Sequence, residues 1–165
     1  MPVRIQSLRS PSARHVRLLL APGQSLYDAI VKPLAAQDIN NASLTILGGL
    51  FDSLSYCVAP PDPSGRAVIA YTRPIDGGAG WLVFGNATLG RGMNGAPIVH
   101  CHAAMRTQAG SVKGGHLLTE SCIIGGQGLS ALVTSLDGFV LRQAYDPETN
   151  IPLLQPQTGT VPGHA

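Results

Sequence analysis

Between His15 and Leu20 the chain reads HVRLLL, an apolar run that stops at the turn dipeptide Pro22-Gly23, and this predicts a β-strand. Ser25 stands three residues before Asp28, the spacing at which a hydroxyl and a carboxylate satisfy the first free amides of a helix. Leu26, Ala29, Ile30 and Leu34 then recur at helical intervals, so one face of a principal helix is predicted to pack inward. Pro33 falls inside that pattern and predicts a kink or an early end, because proline lacks the amide and its ring crowds the preceding turn.

Past Asn40-Asn41 the period changes. ASLTILGGL, FDSLSYCVA, GRAVIAYTR, GWLVFGNATLG, PIVHCHAAM, GGHLLTESCIIGG and LSALVTSLDGFVLRQ are short runs with β-branched and aromatic residues, set apart by Gly, Pro, Asn or Asp. The series predicts an antiparallel, barrel-like sheet of about seven strands, and with one helix packed on it the class is α+β. From Tyr145 onward the sequence has four prolines and no amphipathic period. Residues 145–165 are therefore expected to be an extended Pro-rich tail following a single domain of residues 1–144, laid over a neighbour through Ile151, Leu153 and Leu154.

Composition adds to this picture in three respects. At 165 residues the chain is long enough to bury its own core, yet only 12% of it is charged, about half the usual share, which points to surface buried in an oligomer. The net charge is +2 and the pI 8.6, with Lys and Arg scattered, so a strong nucleic-acid stripe is absent. Arg4, Arg9, Arg14 and Arg17 are the candidate DNA contacts. Cys57, Cys101 and Cys122 form no CxxC pair and read as buried, reduced thiols of an intracellular protein. No apolar run approaches a membrane span and the N-terminus has no apolar signal core, so a cytoplasmic location without a membrane partner is expected.

The chemistry gathers in PIVHCHAAMRTQAGSVKGGHLL, which holds three of the five histidines. Strand alternation puts His100 and His102 on one face with Cys101 opposite. A turn centred on Gln108 to Ser111 would return the chain so that His116 or Leu117 lies opposite His102, and three imidazoles would converge. Converging neutral imidazoles suit Zn or another divalent ion, with a fourth position open to water or a small anion. A set of half-exposed histidines that merely bond to a loop is the alternative. Gly114 and Gly115, just before His116, permit a close approach of backbone or ligand, or mark a bulge. Glu120 supports the site or acts as a base if it shares the face of His116 and Leu118; otherwise it is a solvated strand residue. GxSxG, HExxH and Walker-type motifs are all absent, and no catalytic residue is assigned.

His100-Cys101-His102 followed by Gly110-Ser111-Val112-Lys113-Gly114-Gly115-His116-Leu117 resembles the signature of the plants and prokaryotes conserved (PPC) domain. That domain accompanies AT-hooks in plant nuclear proteins and stands alone in prokaryotes. VRLLLAPGQSLYDAI is similar to the family's opening strand, turn and helix, and the likeness extends over roughly residues 14 to 142. The resemblance implies an α+β fold, a compact homotrimer, and histidines at positions that bind a metal in some prokaryotic members. No AT-hook core occurs, since Gly90-Arg91-Gly92 is followed by Met93, and GRAVIAY lacks the acidic residue of the plant motif. The expected function is a stand-alone regulatory module that engages DNA or another protein and carries a three-histidine metal site. The alternative is a small-molecule-binding protein or metal-dependent enzyme built on His100, His102 and His116, with ligand sensing ahead of catalysis.

Overall fold

HVRLLL forms strand β1 (His15–Leu20), and the helical pattern after it forms α1 (Leu26–Ala35) in a computed structural model that describes residues 7–158. Ser25 caps α1: its hydroxyl accepts from the Asp28 amide at 3.1 Å. The Asp28 carboxylate pairs with Lys32 at 3.0 Å, one turn along the helix. The helix ends two residues beyond Pro33, and Leu26, Ala29, Ile30 and Leu34 are buried as the spacing requires.

The remaining strands are β2 (Ala42–Cys57), β3 (Ile75–Arg91), β4 (Pro97–Thr107), β5 (Val112–Leu117), β6 (Ile123–Ile124), β7 (Leu129–Ser135), β8 (Val140–Asp146) and β9 (Ile151–Gln157). The fold is thus mostly antiparallel sheet with one short helix, the α+β class. All nine described strands join one sheet, in the order β1-β7-β2-β5-β4-β3-β8-β9 with β6 on β2. Because β2 pairs β3 along most of its length and β5 at Tyr56 and Cys57, the pairings run in a circuit through β2, β3, β4 and β5. The circuit encloses Leu44, Ile46, Phe51, Leu82, Met105 and Leu117, and α1 adds Leu26, Ile30 and Leu34 to the same core.

Three expectations change in detail. ASLTILGGL and FDSLSYC are a single 16-residue strand, irregular between Phe51 and Leu54, rather than two. GRAVIAYTR is not a strand: the Ala70 and Thr72 amides donate to the carbonyls of Pro60 and Val58, and the Asp62 amide donates back to the Val68 carbonyl at 3.4 Å. Pro60 and Pro61 have no amide to give back, so the ladder reduces to one isolated bridge, Pro61 to Ile69. The segment expected as a tail contains β9, which pairs antiparallel with β8 from Asp146–Ile151 to Val140–Gln157. Asn150, at φ 56, makes the turn between them. Among the described residues no helix is long and apolar enough to cross a membrane.

Candidate metal centre

β4 alternates strictly. Val99, Cys101, Ala103 and Met105 are buried in the core, while His100 and His102 point outward. The chain turns back through Gly110, whose amide donates to the Thr107 carbonyl at 2.9 Å and whose φ of 83 suits glycine. The resulting register sets His116 directly opposite His102, and Leu117 opposite Cys101. On the other side of β4, His102 faces Asn86 and His100 faces Thr88 of β3.

The three rings meet on the outer face of the sheet. Ring centroids are 4.9 Å apart for His100 and His102, 4.7 Å for His100 and His116, and 5.3 Å for His102 and His116. One nitrogen from each ring lies within 4.8 Å of the other two. The Nε2 atoms of His100 and His102 are 3.1 Å apart, close to the separation of about 3.3 Å for two nitrogens bound tetrahedrally at 2.0–2.1 Å from one ion. His116 Nδ1 is buried without a hydrogen-bond partner, an arrangement that costs free energy unless something fills it. Burial, reinforced by His116 and His102, pushes His100 down from 6.5 to about 4, and burial followed by His102 lowers His116. Both rings are therefore neutral at pH 7, the form that donates a lone pair to a cation. The residues present fit a divalent ion of the zinc type, and His100, His102 and His116 could hold it.

Gly115 makes this junction possible. A Cβ there would stand 2.6 Å from the Cys57 carbonyl oxygen, where β5, still paired with β4, also begins to pair with β2, so the backbone needs the glycine. Gly114 has room, with its nearest neighbour, the Ala103 carbonyl oxygen, at 3.5 Å, and the β4–β5 register passes both glycines without a bulge. Glu120 is not on a strand: β5 ends at Leu117, and Glu120 is exposed in the turn that follows. It nevertheless borders the same cavity as His100 and His116. That cavity, about 870 Å³, is also lined by Ile98, Leu118 and, from β9, Ile151, Leu153 and Leu154.

Sequence reasoning missed Cys57 and Tyr71. Cys57 lies opposite His116 across β2 and β5, and burial raises its thiol, which keeps it protonated at pH 7. The Tyr71 ring sits 5.5 Å from that of His116. Neither has a local signature, because both reach the site through pairings distant in sequence. Cys101 faces the core as alternation demands, and burial lifts it to about 12. All three cysteines are free and buried.

Of the candidate DNA contacts, Arg4 lies outside the described residues. Arg14 is occupied: its guanidinium donates to the carbonyls of Gln37 and Asp38 and pairs with Asp137 at 3.4 Å. Arg9 and Arg17 are exposed.

The Plants and Prokaryotes Conserved (PCC) domain, abbreviated PPC above, matches residues 9–128 of this sequence. The chain belongs to this family. Solved structures with the same fold include a metal-containing protein from Archaeoglobus fulgidus, at 18% identity and a TM-score of 0.70 over 93% of this chain and 99% of that one. A PPC protein from Pyrococcus horikoshii gives 17% identity and a TM-score of 0.63 over 94% and 97%. A protein named as a candidate DNA-binding protein from Ralstonia eutropha JMP134 gives 17% and 0.65 over 84% and 89%. No curated protein matches the sequence. The β8–β9 hairpin that walls the cavity falls beyond the matched PPC residues.

Proposed function

We propose that this PPC domain is a cytoplasmic, homotrimeric regulatory module whose ligand-sensing centre is one divalent ion, of the zinc type, held by His100, His102 and His116. The observation that carries the reading is the convergence of three imidazoles with a buried, unpartnered His116 Nδ1. The metal-containing protein of the same fold supports it. A bound ion would supply a Lewis-acidic position beside the cavity. His100 and His116 also line that cavity, so an ion they held would lie beside it, with Ile151, Leu153 and Leu154 of β9 in the same lining. No side chain is placed as a general acid or base, so binding rather than turnover is the reading.

Self-association is supported by the apolar outer face, where Trp81 is 48% and Phe84 55% exposed. Engagement of DNA or of a regulatory protein is the output such a module would control, and the Ralstonia protein's name favours DNA. Exposed Arg9 and Arg17 would contribute to it, while Arg14 already has partners.

Elemental analysis of the untagged protein tests the centre. About one zinc or similar ion per chain is expected, and His100→Ala, His102→Ala and His116→Ala should each lower metal affinity at least about tenfold with the fold kept. Wild-type affinity in any one of the three would remove the three-histidine centre.

A further inference from the structure

The cavity beside the histidines has an uneven chemistry. Its lining combines the polar side chains of His100, His116 and Glu120 with aliphatic ones, Ile98 and Leu118 together with Ile151, Leu153 and Leu154 of β9. Glu120 is the one carboxylate among the lining residues, and no Lys or Arg lines it. Apart from the imidazoles, Glu120 is the one charged side chain in the lining, and it disfavours an anion. A divalent ion on the imidazoles reverses this: its two positive charges exceed the one on Glu120 and leave one uncompensated. A charge in an apolar recess is costly until it is paired, so the ligand that completes the site is a monoanion. The aliphatic walls ask for an apolar body behind that head. The volume, about 870 Å³, lies within the range of sites that enclose small organic ligands.

We propose that the cavity takes an aliphatic monocarboxylate, its carboxylate toward a metal held by the histidines and its chain against Ile151, Leu153 and Leu154 of β9. This deepens the ligand-sensing reading and rests on the three-histidine metal centre. The β8–β9 hairpin is the specificity element. It is fixed in place by close packing at Gly90, where an added Cβ would meet the Leu141 carbonyl oxygen at 2.7 Å and the Leu154 side chain at 3.0 Å.

Calorimetric titration of the zinc-loaded protein with octanoate, octylamine and 1-octanol tests the proposal. Octanoate should bind at least about tenfold more tightly than either analogue, and metal-free protein should lose that preference. Leu153→Asp, on β9 and not one of the three histidine ligands, should weaken octanoate at least about tenfold while leaving zinc content unchanged, because it sets a charge against the chain. Zinc-loaded protein that ignores octanoate, or binds all three probes alike, overturns the proposal and leaves the metal centre standing. So does octanoate binding that is indifferent to Leu153→Asp. Protein that takes up no stoichiometric zinc removes the metal centre and the proposal with it.

Discussion

At His100, burial and two neighbouring imidazoles act in one direction, against the protonated ring. The consequence for stability follows from counting protons. The unfolded chain protonates this histidine near 6.5, the folded chain only near 4, so between those values the unfolded state holds more protons. Stability of the metal-free protein should therefore be independent of this group above 6.5 and fall as the pH drops toward about 4. His116, lowered by burial and His102, adds to the same slope. Urea midpoints measured from about pH 7 down to about pH 4 should decline, and His100→Gln should flatten part of the decline, which separates it from carboxylate titration. A midpoint that holds steady or rises over that interval would mean the rings are not held neutral by the fold.

The element that positions the third histidine is β5, and its two glycines have different duties. Gly115→Ala places a methyl against the Cys57 backbone and the Tyr56 ring, so it should destabilise by about 1–3 kcal/mol, the usual cost of overpacking. Gly114→Ala meets only ordinary contact and should shift stability by no more than about 1 kcal/mol in either direction. Denaturation of the two variants in parallel checks this, and equal effects would deny the close approach of β5 to β2. This junction also marks how far the sequence could be read. β1, the Ser25 cap and the buried face of α1 were legible because their signals are local. His116 opposite His102 was legible because one turn fixes the register of an antiparallel pair. The closure of β5 onto β2, which brings Cys57 to the site, depends on residues some sixty positions apart and leaves no period in the sequence. GRAVIAYTR carries strand-like residues, but the prolines that deny it a partner lie on the opposite arm of its loop. β9 was hidden by Pro152 and Pro156, which an edge strand tolerates because half its amides face away from the sheet.

On the scale of the whole molecule, the outer face of β2 and β3 continues the histidine face into apolar ground. Leu47 pairs with Phe84 and Leu50 with Trp81, and all four side chains are exposed. A row of two cross-strand apolar pairs left in water is poor economy for a chain with so few charges, and burial of each aromatic ring would contribute about 1.5–3 kcal/mol. The homotrimer proposed above should bury this face. Trp81→Glu combined with Phe84→Glu would set two charges into each contact, so light scattering should find monomer where the parent protein is trimeric. Because all three imidazoles come from one chain, the monomer should still hold about one ion, and its thermal transition should become independent of protein concentration. A double variant that stays trimeric would move the interface to another exposed apolar position, such as Leu19 on β1. Loss of the ion together with the trimer would mean that a neighbouring chain completes the coordination.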